Sequence, residues 1–113
     1  QHLVRIYSGT LSLGIDLSLA QQEWVRMQSD TVVVTLPQVT LLNPQFIDEA
    51  STRTFHETGT WDAQAREQMY QKARRVMIDR CLSEENLRMA QETGKAHMKA
   101  VFRNLGFENV VVE

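Results

Sequence analysis

Five ionisable side chains lie close together in the sequence: Asp48, Glu49, His56, Glu57 and Asp62. A histidine near carboxylates can act as a general base, and the same group could hold a metal ion. No pair has a recognised ligand spacing such as His-Glu-x-x-His. Polar residues are also usual in loops. We therefore expect no catalytic, metal or cofactor site, and keep His56, Asp62 and Asp48 as candidates for an alternative, a small enzyme or ligand-binding domain that uses the polar loop 43–62.

A segment with two glycines, Gly9 and Gly14, is the second place where spacing could matter. It lacks the Gly-Lys-Ser/Thr ending of a P-loop and the Gly-x-Gly-x-x-Gly spacing of a dinucleotide-binding loop. Gly14 lies inside a strand pattern, where glycine usually marks a bulge or a close approach of another backbone. Asp16 is predicted to cap a turn or to accept backbone hydrogen bonds.

Basic side chains on the first predicted helix could contact anionic lipid headgroups or an acidic partner. They are Arg66, Lys72, Arg74, Arg75 and Arg80. Glu67 and Asp79 interrupt the series, and mixed charge is the usual composition of a solvated helix face. Both interpretations stay open, and His97 on the second helix is expected at the edge of the core.

Two apolar features could also form binding surfaces. Methionines recur along both predicted helices, which is typical of a core but also of an adaptable groove. They are Met69, Met77, Met89 and Met98. If the helices cover one face of the sheet only, Trp24, Val25 and Val33 would lie on the other face. An uncovered patch of this kind marks a partner or self-association surface.

The composition is that of a folded globular protein. The chain has 113 residues, of which 42% are hydrophobic and 23% charged, so residues 1–113 are predicted to form a single domain. A net charge of −2 gives no reason to expect a nucleic-acid partner. Cys81 can form no internal disulfide and is expected to be a small buried hydrophobe. No stretch approaches the roughly 20 apolar residues of a transmembrane helix. Because the sequence begins at Gln1 without Met, we expect it to be part of a longer precursor.

The first half of the sequence predicts β-strands. Residues 3–7 are rich in β-forming residues, and residues 11–18 alternate between apolar and polar positions. Residues 23–28 and 31–37 form a second pair around Ser29-Asp30, with Val32, Val34 and Leu36 on one face and Val33 on a face that is otherwise polar. Residues 39–41 are a further short strand, and residues 43–61 read as irregular.

The second half predicts two helices. Helix one begins near Asp62 as N-cap, and its core stripe is Ala65, Met69, Ala73, Val76, Met77 and Cys81. Helix two has Ser83 as N-cap and Gly106 as C-cap, with Phe107 folded back onto its last turn. Its predicted apolar face is Leu87, Ala90, Gly94, Met98, Val101, Phe102 and Leu105. Val110, Val111 and Val112 form a last strand. The predicted fold class is α+β, with an antiparallel-rich N-terminal sheet, two long amphipathic helices packed on it and a short C-terminal strand.

Several segments together resemble a known bacterial family, the domain of unknown function 4230. The matching positions are Gly9, Gly14, Ile15, Asp16, Leu17 and Ser18, then Leu36 and Pro37, then Ile47 and Asp48, and finally Leu105, Gly106 and Phe107. Val39 stands where the family tends to have a second proline, and the family domain usually begins before the position of Gln1.

The resemblance implies an α+β fold and, in many members, an N-terminal hydrophobic anchor or signal. It implies no known activity. We therefore expect a non-enzymatic, extracytoplasmic (periplasmic or cell-surface) bacterial domain, tethered to a membrane in the full-length protein. It would act through an unknown protein partner or as a homo-oligomer, and without a cofactor.

Overall fold

The computed structural model describes residues 2–48, 53–58 and 61–113. In chain order the elements are β1 (His2–Ile6), β2 (Leu13–Gly14), a 3₁₀ turn (Leu17–Leu19), β3 (Val25–Gln28), β4 (Thr31–Val34), β5 (Thr40–Leu41), β6 (Arg53–Thr58), α1 (Ala63–Cys81), α2 (Glu84–Asn104) and β7 (Asn109–Val112). The α+β fold class is confirmed. The chain divides into unit 1, Gln1–Leu11 with Asn43–Ser83, and unit 2, Ser12–Leu42 with Glu84–Glu113. A single domain over residues 1–113 stays a prediction.

Unit 2 contains a three-stranded sheet in the order β3-β4-β7. β3 and β4 form the predicted hairpin, whose turn places Ser29 at a φ of 55°. β7 pairs with β4 in parallel, with Val110 opposite Val32, a pairing that needs a long crossover connection. The prediction that residues 110–112 add a last strand is confirmed.

The core of unit 2 joins this sheet to α2. Val32, Val34, Val110 and Phe102 are buried together, and Trp24 is among the side chains packed against them. Apolar side chains from α2 and from the adjacent strands β4 and β7 are thus buried in one core. Burial of apolar surface is the main favourable contribution to folding.

The C-terminus of α2 has the predicted glycine cap. Gly106 has a φ of +106°, and its N–H donates to the Arg103 carbonyl at 3.0 Å while the Phe107 N–H donates to the Phe102 carbonyl at 3.2 Å. These two bonds form a Schellman motif. The Phe107 ring lies 5.9 Å from the Phe102 ring, so the cap also extends the core.

The prediction of an uncovered sheet face is wrong at Val33. Val32, Val33 and Val34 are 1%, 4% and 0% exposed, so both faces of β4 are buried at this point. A central strand that is covered on both faces carries a continuous apolar run instead of an alternating one. Trp24 packs against the core. Val25 is 38% exposed, but it does not form the expected patch, because Val33 is buried and Trp24 lies against the core.

In unit 1, β1 pairs antiparallel with β6, with Val4 opposite His56. The prediction that residues 43–61 are irregular is therefore wrong for Arg53–Thr58, where Thr54 and Phe55 are residue types that favour strands. The partner of this strand lies about fifty residues earlier in the chain, so no local turn signal indicates the pairing.

The predicted strand over residues 11–18 is reduced to β2, which pairs with β5. The chain leaves the extended conformation at Asp16, the N-cap of the 3₁₀ turn Leu17–Leu19. Side chains of Asp and Ser offer the backbone hydrogen bonds that compete with a strand ladder. The alternation of residues 11–18 is therefore real in sequence but does not produce a strand.

α1 begins as predicted, with the Asp62 carboxylate accepting from the Ala65 N–H at 2.7 Å. No residue of α1 is fully buried. Its half-buried stripe includes Met69, Met77 and Cys81, whereas Val76 is 43% exposed, so its assignment to the core stripe is wrong. Within the described ranges, no helix is both long and apolar enough to cross a membrane.

Candidate functional site

Gly9 is required where two segments of unit 1 touch. It forms an isolated antiparallel bridge with Ile47, and the Asp48 N–H donates to the Ser8 carbonyl at 2.8 Å. A Cβ on Gly9 would overlap the carbonyl oxygen of Phe46. Gly9 therefore holds the segment containing Phe46 and Ile47, both buried, against the segment that follows β1.

Gly14 and Ile15 both make close contacts inside unit 2, but the neighbour of Gly14 is a side chain and not the backbone that the sequence predicts. A Cβ on Gly14 would lie 2.6 Å from Leu42 Cδ1, and a Cβ on Gly94 of α2 would lie 2.5 Å from Ile15 Cδ1. The Ile15 side chain thus packs into the notch that Gly94 leaves on α2. This contact attaches the segment 13–17 to the helix.

Asp16 has the capping role that the sequence predicts. Its Oδ1 accepts from the Ser18 hydroxyl at 2.6 Å and from the Ser18 N–H at 3.0 Å. The side-chain hydrogen bond first, and the backbone hydrogen bond second, lower the pKa of the Asp16 carboxyl below its usual value. The carboxylate therefore fixes the 3₁₀ turn that carries Leu17.

Unit 2 contains an apolar cavity of about 800 Å³, open on one side, which we call the α2 groove. One wall is a face of α2: Met89, Ala90, Thr93, Gly94, His97, Met98, Val101 and Phe102. The opposite wall is Leu13, Gly14, Ile15, Leu17 and Trp24. Three large apolar side chains of the lining remain open to water, since Met89, Leu17 and Val101 are 54%, 43% and 38% exposed.

The chemistry of the α2 groove is almost entirely apolar. None of the lining residues that the structure describes is Asp, Glu, Lys or Arg. Three of the described lining residues have a polar group in the side chain: Trp24, Thr93 and His97. Thr93 and His97 are both exposed. A cavity of this size and lining is typical of a site that binds an apolar group.

The basic residues of α2 lie away from this groove. At about 100° per residue, Arg88, Lys95, Lys99 and Arg103 fall together on the side of the helix opposite the groove. The groove and the positive charge of α2 are therefore separate features.

Unit 1 has a smaller polar pocket of about 710 Å³, lined by residues that include Asp48, Tyr70, Gln71 and Arg74. The Arg74 guanidinium donates from Nη2 and Nε to the Pro44 carbonyl at 3.1 and 3.3 Å, and lies 5.5 Å from the centre of the Phe46 ring. Arg74 is half-buried. Its described contacts connect α1 to the segment 44–46.

The other predicted candidates do not come together in the described part of the chain. Asp62 is the N-cap of α1, Asp48 is exposed in the polar pocket, and the His56 and Glu57 side chains and all of Glu49 lie outside the described residues. Arg66 is half-buried, while Lys72 and Arg75 are exposed. Across residues 2–48, 53–58 and 61–113, no group of three or more His, Cys, Asp or Glu side chains could hold a metal ion.

The remaining motif positions take part in the sheet and the cap. The Leu36 N–H donates to the Glu113 carbonyl at 3.1 Å, which ties Leu36 and the following Pro37 to the C-terminal end of the chain. Leu105, the residue before Gly106, is 68% exposed.

Sequence reasoning missed the α2 groove, although it identified many of its residues. The apolar face predicted for helix two contains five of the lining residues: Ala90, Gly94, Met98, Val101 and Phe102. Of these five, Phe102 alone is buried. The available signal was the repeated methionine, because Met89 and Met98 both line the groove.

Comparison with known proteins gives a family and no function. The model of the family described as protein of unknown function (DUF4230) matches residues 1–112. No curated protein and no solved structure gives a significant match. The chain therefore belongs to the DUF4230 family, as its motifs indicate.

Proposed function

We propose that this member of the DUF4230 family is a non-enzymatic binding domain that acts through protein–protein contact or self-association, with the α2 groove as its binding surface. The observation that carries the proposal is the open, uncharged groove of about 800 Å³. Contiguous apolar surface left in water usually marks an interaction site. Covering it would contribute about 25 cal/mol for each Å² removed from water.

The lining residues favour binding over catalysis. General acid–base chemistry needs titratable groups in reach of the substrate. Among the described residues of the lining, His97 is the single titratable side chain. Apolar walls with few polar groups instead supply affinity without chemistry.

We propose in addition that the domain works outside the cytoplasm, tethered to a membrane in the full-length protein. The support for this proposal is that the chain belongs to the DUF4230 family. The resemblance to that family implies an N-terminal anchor or signal in many of its members. A binding domain held near a membrane would meet partners in two dimensions, which raises their effective concentration.

Photo-crosslinking from inside the groove tests this function. Benzoylphenylalanine replaces Thr93 in the full-length protein in its own cells, and the adduct is analysed by peptide mapping in membrane and soluble fractions. We expect a polypeptide adduct in the membrane fraction that is sensitive to protease added to spheroplasts, in which the cytoplasmic membrane is intact. Adding Val101→Arg, which places a charge in the groove wall, should abolish the adduct.

The matched control places the same crosslinker at Ala96, which is exposed on α2 and outside the groove lining. No adduct should form there. If position 93 yields lipid adducts and no polypeptide, or if both positions crosslink equally, the proposed function is wrong.

A second candidate function uses the polar pocket of unit 1. It is favoured by one observation, the presence of Asp48, Tyr70 and Arg74 around the same cavity of about 710 Å³. Such a pocket could bind a small polar molecule. Native mass spectrometry that showed a copurifying small ligand, lost in Asp48→Asn, would favour this candidate over the first.

A further inference from the structure

We propose that the occupant of the α2 groove is an amphipathic α-helix of a different protein, lying along α2 with an uncharged apolar face inward. This inference rests on the proposed function, because it names the partner of the same site. Four observations on unit 2 lead to it.

The first observation is the shortage of hydrogen-bonding groups in the groove. Thr93, His97 and the Trp24 indole are the polar side chains of the lining described above. The strand at the groove, β2, has two residues and pairs with β5 along one edge, so it offers very few backbone groups to an added strand. An extended or irregular segment would bury backbone N–H and C=O groups without partners, at a cost of about 1–3 kcal/mol each. A helix satisfies its own backbone, so it can enter such a groove.

The second observation is that one side of the groove is open. Met89 and Leu17 are 54% and 43% exposed, so the walls cover one side of an occupant and leave its other side in water. Acyl chains and other fully apolar ligands usually need a site that buries most of their surface. An amphipathic helix needs only its apolar face covered, and its polar face can stay in water.

The third observation is the length of the groove. From Met89 to Val101 the α2 wall runs for about 18 Å, at 1.5 Å per residue. This length matches about three turns of a partner helix, with anchors at i, i+4, i+7 and i+11. Met89 and Met98, on unbranched flexible side chains, can adapt to anchors of different shape.

The fourth observation is charge. The lining described above has no charged side chain, and the basic residues of α2 lie on the opposite side of the helix. An ion placed in an apolar groove without a counter-charge would lose its hydration. The inserted face must therefore be uncharged, and binding should depend little on ionic strength.

A second copy of this chain is a poor occupant. The apolar face of α2 is already a wall of its own groove. The half-buried face of α1 carries Arg66 and Arg74, and Arg74 is bonded to Pro44. On the groove side of α2 the exposed apolar side chains are Met89 and Val101, and the exposed residues between them are Thr93 and His97. Neither helix therefore offers a row of four uncharged apolar anchors without leaving its own unit.

The test uses the full chain and a synthetic peptide of about 14 residues, or roughly 21 Å as a helix. The peptide carries Leu at i, i+4, i+7 and i+11 over a Gln and Glu face. A control peptide has the same composition with Leu at alternate positions. Binding is followed by methyl NMR of Met89 and Met98 and by titration at low and high salt.

We expect the helical peptide to shift both methyl signals and to bind about tenfold more tightly than the control peptide, which is 1.4 kcal/mol. Thr93→Arg should weaken binding by about tenfold or more, because it places a charged side chain in the groove. Ala96→Arg adds the same charge to the same helix outside the groove and should leave the affinity within about twofold. Both positions are exposed and Arg is a good helix former, so both variants should fold.

Three outcomes would overturn the inference. If myristate shifts the same methyls and the helical peptide does not, the groove is a lipid site. If the alternating peptide binds equally well, the occupant need not be helical. If the crosslink from position 93 maps to this chain itself, or to a partner segment without helical spacing, the helix inference fails while the proposed protein-binding function stands.

Discussion

Replacing Gly9 by Ala should destabilise unit 1, whereas the same change at Gly14 should have little effect. The Cβ that Gly9→Ala introduces would overlap the Phe46 carbonyl oxygen and would lie 2.9 Å from the Phe46 carbonyl carbon and 3.1 Å from Ile47 Cα. All three atoms belong to the backbone of a segment whose side chains are buried. They can move only if the bridge between Gly9 and Ile47 opens.

The size of the destabilisation by Gly9→Ala follows from the contacts that are lost when the bridge opens. Overpacking against a fixed neighbour costs about 1–3 kcal/mol, and loss of the hydrogen bond from Asp48 N–H to the Ser8 carbonyl costs about 1 kcal/mol more. The lower conformational entropy of the unfolded variant chain stabilises the folded state by about 0.4–1 kcal/mol and offsets part of this loss. A net loss of about 1–3.5 kcal/mol in the free energy of unfolding is expected for Gly9→Ala.

Gly14→Ala is the matched control. Its Cβ would meet Leu42 Cδ1 at 2.6 Å, but this is the end of a flexible side chain that is 48% exposed and can rotate away. Its stability should stay within about 1 kcal/mol of the parent, since the entropy gain offsets part of the shift.

Urea unfolding measures both variants. Trp61 lies in unit 1 and Trp24 in unit 2, so Trp24→Phe and Trp61→Phe backgrounds report each unit separately by fluorescence. Equal effects of Gly9→Ala and Gly14→Ala on the Trp61 signal would refute the argument from backbone contact. Coincident transitions at both tryptophans would support the prediction of one cooperative domain.

Two further predictions concern caps. Because hydrogen bonds from Ser18 lower the pKa of Asp16 in the folded state, the stability that this carboxylate contributes is complete above the pKa of the unfolded chain, about 3.9, and is lost as the pH falls through the folded pKa. Asp16→Asn keeps a capping oxygen but does not titrate, so any advantage of the parent over this variant in urea unfolding should disappear in the acid range; an advantage that persists at low pH would contradict this. Gly106→Ala should lower the free energy of unfolding by about 1–2 kcal/mol through left-handed backbone strain alone, because a Cβ there meets nothing within 4 Å. The control is Leu105→Ala, at a side chain 68% exposed, which should change stability by less than about 0.5 kcal/mol. A neutral Gly106→Ala would show that the cap does not depend on this conformation.

The features that the sequence predicts well are those decided within a few residues. The Asp62 N-cap and the Gly106 C-cap depend on a side chain or a φ angle beside the helix end, and both are where the pattern places them. The β3–β4 hairpin has its partner strands separated by two residues. In each case the competing structures are few, so residue type is enough.

The features that the sequence misses depend on distant partners. β6 is a strand because β1 pairs with it, and Val33 is buried because β4 is the central strand between β3 and β7. The pattern of residues 11–18 fails for the opposite reason. A local competitor, the hydrogen bonds between Asp16 and Ser18, ends the strand before its alternation can be used.

The α2 groove is neither a feature that the sequence predicts nor one that it misses completely. The sequence places many of its residues on an apolar helix face but does not indicate that this face forms an open groove. An apolar stripe on a helix predicts that something covers it, and a core is the commonest cover. Along α2, the core of unit 2 buries Phe102 and packs against Met98, whereas Met89 and Val101 stay exposed. The apolar face of α2 is thus larger than the area its own unit covers. The unmatched part of that face, opposite a wall fixed to Gly94 through Ile15, is where a partner helix would complete the packing.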